Sequence, residues 1–421
     1  MELNKIKVKN YKAITDRELE VARGVNLLIG DNGAGKSSML EAMTVALSGM
    51  FEKIPGVFQK GIAQSDIHIK VMDKGDASIE ILYHVPTEIT TYVTLDSMEY
   101  CLKKYWESED GSVRTKTEDS GLGKKMQQKV NDSAEVLPLI CFQSDARVWQ
   151  MQRTDSGKNL KKKLNDRRCG YINCLDYSLD IKGIQAWCLK MELTAFQKNM
   201  KIREYEAFKQ IISKFMQTIN GLETAPDIYY SSQLEEMVYR EGDVTMPVTR
   251  LSAGYQSLLW IVMNLAYRWA LLNPDTTGNV QEARGIVLID EIDMHLHPKW
   301  QWNIVKALEE TFPHVQFILT THSPIVISSC RNEHLILMND DQEVVYLENA
   351  YGYSVQDVLN FRQGTTEKPA QVKSLTDAFY LALEEDKYEE AERILHQMES
   401  MLGKEHADVR AAADELAWNR L

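Results

Sequence analysis

The sequence predicts an α/β protein: a mostly parallel sheet covered by helices, with an antiparallel β subdomain, a helical insertion and a helical C-terminal region. Three observations lead there. Strand-length apolar runs alternate with helix-length segments, as in GVNLLIG before a helix at the start of the chain and GIVLID, PKWQWNIVKALEETF and VQFILTTHS further on. That alternation implies strands joined by crossover helices. A glycine-rich turn, GDNGAGKS at 30–37, sits between one such strand and the helix after it. Residues 67–100 instead hold successive strand-like segments with no helix between them.

Composition bounds the rest. A chain of 421 residues can bury a large core and accommodates two or three domains. No apolar run approaches the roughly 20 residues that cross a bilayer, and lysines interrupt the N-terminal MELNKIKVKNYKAI, so no signal-peptide core is read there. The expectation is a cytoplasmic protein with no membrane partner. The cysteines at 101, 141, 169, 174, 188 and 330 form no CxxC pair, which supports neither a zinc site nor a disulfide framework. A net charge of -13 excludes a protein coated in basic surface but not a local basic groove. The one basic run, KNLKKKLNDRR at 158–168, is either a solvated loop or a contact to nucleic-acid phosphates.

The elements follow in order. LNKIKVKNYKAI alternates and reads as a first strand, GVNLLIG as a buried strand, and DNGAGKSSMLEAMTVALSGM as a turn running into a helix. IHIKVM, ASIEILYHV and EITTYVTL read as strands, the polar stretch 103–134 as a loop or insertion, and VLPLICF as another buried strand. Over 181–220 the apolar period becomes helical, with Phe208, Ile211, Ile212 and Phe215 on one face, but the segment is too short for sustained heptads. QLEEMVYREGDVTMPVTRL returns to strands, and SLLWIVMNLAYRWALL is a buried helix. After about 355 amphipathic helices take over, with Ala391, Ile394, Leu395, Met398 and Leu402 forming one apolar stripe. The expected division is one α/β domain over 1–350, carrying a helical insertion at about 155–225, and a helical region over 351–421 suited to a partner or to assembly.

The motifs carry specific chemistry. GDNGAGKS matches the phosphate-loop pattern in its required strand–turn–helix setting, so ATP is the expected ligand. Asn32, Gly33, Ala34, Gly35, Lys36, Ser37 and Ser38 are the candidate nucleotide contacts. Lys36 reaches the β- and γ-phosphates, and Ser37 offers a hydroxyl to Mg2+. In GIVLIDEID, four apolar residues deliver Asp290 to a strand end as a magnesium-holding carboxylate, and Glu291 follows as the candidate catalytic base for the attacking water. His322, in FILTTHSP, is placed to touch the γ-phosphate or that water, and is the second catalytic candidate. Gln143, ending VLPLICF, is a candidate sensor of Mg2+ or the γ-phosphate, with Arg147 nearby. His295 and His297 in HLHP lack a third ligand and read as structural or interface residues. In LSAGYQS, 251–257, Ser252 and Gly254 open a long helix, a position suited to an anion.

The order of phosphate loop, Gln143, LSAGYQS, LIDEID and TTHS resembles the ABC-type ATPases over about residues 1–350. The resemblance implies that Ser252 and Gly254, in the signature segment, hold the γ-phosphate bound by the loop of an opposite subunit, so the working unit is at least a homodimer. Asp293 matches the loop that crosses such an interface. NYKAI, DEIDMHLHPKWQ and THSP are similar to the SMC-like and OLD-like branch, without the long coiled coil of the one or room for the nuclease domain of the other. What remains resembles the stand-alone ATPases of bacterial anti-phage systems, especially the Septu (PtuA) family, in which the ATPase works with an HNH nuclease encoded beside it. The segment departs from the family's LSGGQ at Ala253 and at Tyr255. The resemblance implies a defence ATPase acting as sensor and scaffold for a partner nuclease. The alternative is a DNA-repair or chromosome-associated ATPase acting directly on DNA, which requires a continuous basic surface. A transporter subunit fits less well, because neither the strands at 67–100 nor the helical tail is expected of one.

Overall fold

The computed structural model describes residues 1–73, 79–108, 115–145, 166–177, 180–274, 280–331, 333–347, 350–355, 357–358 and 368–419. The chain divides into two compact units, residues 1–352 and 353–421.

The first unit begins with β1 (Glu2–Tyr11), β2 (Ile14–Glu20) and β3 (Val25–Ile29), followed by α1 (Lys36–Leu47). β3 is buried along its whole length, as a strand covered on both faces must be, whereas β1 and β2 are buried on one face. A two-stranded ribbon of β4 (Ile69–Asp73) and β5 (Ile79–Tyr83) comes next, then β6 (Thr87–Leu95), β7 (Met98–Trp106) and β8 (Lys116–Asp119). β1, β2, β6, β7 and β8 pair antiparallel in the order β2-β1-β6-β7-β8.

The polar stretch 103–134 is therefore not a loop throughout. It contains the end of β7, all of β8, and α2 (Leu122–Asn131). Tyr100, Leu102, Lys104 and Trp106 form the buried face of β7, and the lysine among them hides the period-two pattern. The Lys104 ammonium, 1% exposed, donates to Ser48 Oγ at 2.7 Å just beyond the C-terminus of α1, where the helix dipole favours a cation. Burial still pulls its pKa down to about 8.

β9 (Leu139–Gln143) is the outer strand of the central sheet. A helical hairpin, α3 (Ile181–Lys198) and α4 (Arg203–Asn220), follows and ends in αL residues, Asn199 and Gly221, that stop each helix. Then come β10 (Asp227–Ser231), β11 (Glu236–Glu241) and β12 (Val244–Pro247) in one antiparallel sheet, and α5 (Ala253–Leu272), buried nearly all round. β13 (Arg284–Ile289), α6 (Pro298–Gln301), α7 (Ile304–Thr311), β14 (His314–Thr320), α8 (Pro324–Ser329), β15 (His334–Met338) and β16 (Val344–Leu347) complete the unit. The segment 298–312 is thus two short helices, broken at Trp302 and Asn303, rather than one.

The central sheet has the order β16-β15-β3-β14-β13-β9 and is parallel except for β16. Ile289 lies level with both Gln143 and Leu319, and Thr320 with Leu28. The carboxyl ends of β3, β9, β13 and β14 therefore reach one edge together, where ligands of open α/β sheets bind.

The second unit holds α9 (Ala370–Glu384), α10 (Tyr388–Leu402) and α11 (Ala407–Asn419). Phe379, Leu383, Ala391, Leu395, Met398, Val409 and Leu416 form its core, and Ile394 and Leu402 flank it half-buried. Among the described residues, no helix is long and apolar enough to cross a membrane.

Candidate nucleotide site

The turn from β3 to α1 needs three glycines in conformations other residues avoid or in spaces they do not fit. Gly33 and Gly35 have φ of 93° and 90°, and a Cβ on Gly30 would lie 2.2 Å from the Met338 carbonyl oxygen. Lys36 opens α1, is 7% exposed, and donates from Nζ to the carbonyls of Gly30 and Asp31, both at 2.8 Å. Burial lowers its pKa, while Asp290, Asp31 and Glu291 pull it back up. Asn32, Gly33 and Ser37 are exposed, Ser38 is half-buried, and Ala34 and Gly35 are buried beneath them.

The acids arrive from β13. Asp290 is 5% exposed, and the Thr320 hydroxyl from the end of β14 donates to its Oδ1 at 2.5 Å. Burial raises the Asp290 pKa; hydrogen bonds from Thr320 and Ser37 work against that. Ser37 and Asp290 thus present two hard oxygen donors side by side, one of them a buried carboxylate, and this donor set fits Mg2+. Glu291 has a left-handed backbone, φ 45°, unusual for a residue with a side chain, and its N–H donates to Thr320 Oγ1 at 2.7 Å. One threonine hydroxyl therefore joins the Asp290 carboxylate to the Glu291 backbone. The next hydroxyl, Thr321, donates to Asp293.

His322 is half-buried. Burial and then Lys36 lower its pKa, opposed by Asp293, Asp31 and Asp290, so the imidazole is neutral at pH 7. These mutual influences put Lys36, Asp290, Glu291 and His322 at one site, drawn from three strand ends. Such a cluster can grip phosphates, hold a cation and take a proton from water.

Gln143 behaves differently from its companions. It is buried, its backbone carbonyl accepts from Asp290 N–H at 2.8 Å, and its amide nitrogen donates to the Ile261 carbonyl at 3.1 Å. Its amino group thus braces β9 against α5.

Ser252 and Gly254 are not gathered with the loop. Ser252 caps α5, and with Gly254, Tyr255, His295, His297, Lys299, Trp300 and Asn220 it lines an open cavity of about 640 Å³ to which no residue of 30–38 contributes. Gly254 is required there: a Cβ would lie 2.7 Å from the Trp300 ring and 2.9 Å from the His295 carbonyl. The Tyr255 ring meets Trp300 edge-on at 4.8 Å, the Trp300 indole donates to Asn220 Oδ1 at 2.8 Å, and Asn220 donates to Glu241 at 3.1 Å. The residue that departs from the family's fifth signature position thus ties the start of α5 to the end of α4. His297 caps α6, accepting from Lys299 N–H at 3.2 Å.

Arg147 and most of the basic run, 158–165, lie outside the described residues. The arginines at the end of the run are committed within the chain. Arg167 donates to the carbonyls of Leu272 and Asp132, and Arg168 pairs with Asp166.

Sequence reasoning missed Thr320, Trp300, Asn220 and Arg17. Thr320 is the one that the sequence marks, because it stands in TTHS two residues before His322. The other three acquire meaning only through neighbours that lie far away in the chain.

Residues 5–233 match the family described as AAA domain, and residues 194–328 match the one described as AAA domain, putative AbiEii toxin, type IV TA system. The chain is similar to the retron Vc95 probable ATPase of Vibrio cholerae (26% identity, covering 87% of this chain and 80% of that protein). It is similar to the Septu protein PtuA of Bacillus thuringiensis (25% identity, 95% and 94%). A short stretch, 11% of the chain, is 46% identical to the DNA double-strand break repair Rad50 ATPase of Archaeoglobus fulgidus. Among solved structures, an Smc head bound to the C-terminal winged-helix domain of ScpA shares the fold, with a TM-score of 0.50 at 16% identity over 83% of this chain and 98% of that one.

Proposed function

This chain belongs to the AAA-domain family, and we propose that it is an ATP-hydrolysing head that dimerises through composite sites and regulates a separate nuclease in anti-phage defence. One observation carries the reading. Lys36, Asp290, Glu291 and His322 share one site, while Ser252 and Gly254 line another cavity of the same chain. A site that uses both sets takes them from two copies.

The chemistry runs on this chain's own groups. The backbone N–H groups of 33–37 and the Lys36 ammonium grip the phosphates. Ser37 and Asp290 would hold Mg2+, which supplies charge neutralisation on the phosphate oxygens. Glu291, fixed by Thr320, takes a proton from the attacking water. Neutral His322 orients that water or the γ-phosphate. The N-terminus of α5 in the second copy, opened by Ser252, adds N–H groups to the γ-phosphate, so ATP joins two heads and hydrolysis releases them.

Support for the defence setting is the similarity to PtuA along nearly the whole of both chains, and to a retron ATPase. A partner of HNH-nuclease type follows from the Septu resemblance, and the 353–421 unit is the proposed partner or assembly region. The test is a tagged pull-down from the native locus. A stoichiometric nuclease supports the reading. A homo-oligomer carrying DNA and no protein partner sinks it in favour of an ATPase acting directly on DNA.

A further inference from the structure

We propose that Arg17 is a positioning residue for nucleotide binding: its guanidinium, from the antiparallel subdomain, aims the phosphate loop by holding the outward carbonyl of Ala34. The inference rests on reading residues 30–37 as the ATP site and names what shapes that site.

Arg17 lies on β2, opposite Val8 of β1, and is 2% exposed. An arginine so deeply buried is expected beside a carboxylate. The charges of Asp341 and Asp340 act on it, but its N–H groups go to three backbone carbonyls. Nη1 donates to Ala34 at 2.5 Å, Nε to Gln342 at 3.2 Å, and Nη2 to Asn339. The acceptors fall in two places that constrain the loop. Ala34 is in the loop itself. Asn339 and Gln342 are in the turn between β15 and β16, beside Met338, whose carbonyl fills the space a Cβ on Gly30 would need. The Gln342 side chain adds to the joint, accepting from Thr15 N–H at 3.2 Å.

The peptide group explains why this matters. In a planar trans peptide the C=O and the following N–H point in opposite directions. Pulling the Ala34 carbonyl outward with a cation therefore turns the Gly35 N–H inward, toward the phosphates. Gly35 has φ 90° and no Cβ, so its own backbone torsions resist rotation of that peptide weakly. An external clamp supplies what the residue lacks, and a charged donor does so about twice as strongly as a neutral one. A fixed N–H costs no reorganisation when the anion arrives.

Arg17→Lys and Arg17→Met both keep a long side chain in the same space. Lysine keeps the charge but cannot fork to three carbonyls; methionine keeps neither. ATP affinity of purified full-length chain, KM, kcat and nucleotide-free Tm are measured, with Lys36→Ala as the control that defines loss of the loop. The expectation is weaker ATP binding by about tenfold for lysine and about a hundredfold for methionine, the scale of a loop group displaced by an ångström. KM should rise more than kcat falls, and lysine should rescue part of the methionine loss. Native ATP affinity in both folded variants overturns the proposal. So does a fall in Tm with affinity intact well below Tm, or failure of both to fold, since Arg17 is then a structural residue. If the wild type binds no ATP, the site reading itself fails, and that is a separate result.

Discussion

Thr320→Val removes one hydroxyl and keeps the shape of the side chain, at a position 0% exposed. The structure gives that hydroxyl two jobs, donating to Asp290 Oδ1 at 2.5 Å and accepting from Glu291 N–H at 2.7 Å. A hydrogen bond to a charged group contributes about 1.5–3 kcal/mol, and a buried N–H left without a partner costs about 1–3. Glu291 is half-buried, so water repairs part of the second loss, and the expected total is about 2–3 kcal/mol. At roughly 2.1 cal/mol/K per residue over a unit of this size, Tm falls by about 3–4 °C.

Activity should suffer more than stability. Glu291 sits at a positive φ that its neighbours must enforce, and an acid-base group displaced by about 1 Å costs on the order of a hundredfold in rate. Removing Thr320 also removes a force that holds the Asp290 pKa down. The sign follows directly. The pKa is already raised by burial and goes higher, so Mg2+-dependent nucleotide binding is lost at a higher pH on acidification than in the wild type. The same protonation, taken alone, favours the folded state as pH falls, because the folded form binds that proton more tightly than the unfolded chain. The assays are thermal unfolding, kcat at saturating ATP, and ATP affinity against pH with and without Mg2+. A variant with the lowered Tm but native kcat and an unshifted pH profile would refute the reasoning, leaving Thr320 as a core hydrogen bond only.

Two further outcomes are expected. In a Glu291→Gln background ATP should drive a stable dimer, and adding Ser252→Arg should abolish that dimer while ATP still binds the monomer; equal loss of both in light scattering and binding assays would make the 251–257 segment structural. For His322, whose pKa is lowered by burial and Lys36, the unfolded chain takes the proton first. Wild-type stability relative to His322→Asn should therefore be fully present above the ordinary histidine value of about 6.5 and decline below it, as read from Tm against pH; a flat difference would place His322 in solvent.

What the sequence determined by itself was local. GDNGAGKS, LIDEID and TTHS each carry a strand end and the residues that follow it, so the loop, the acids and the histidine were legible where they stand. The parallel sheet followed too, because short apolar runs with helices between them have few other ways to bury both faces. The tertiary structure decided the rest, for reasons a linear pattern does not contain. Lys104 breaks the alternation of β7 because its ammonium finds Ser48, 56 residues away. Tyr255 and Gly254 acquire their roles from Trp300, and Trp300 from Asn220. Arg17 looks like any charged residue on an amphipathic strand until its three carbonyl partners, two of them more than 300 residues distant, arrive around it. Motifs record chemistry that depends on spacing along the chain. Bracing between segments depends only on proximity in space, and any residue with the right donors can supply it.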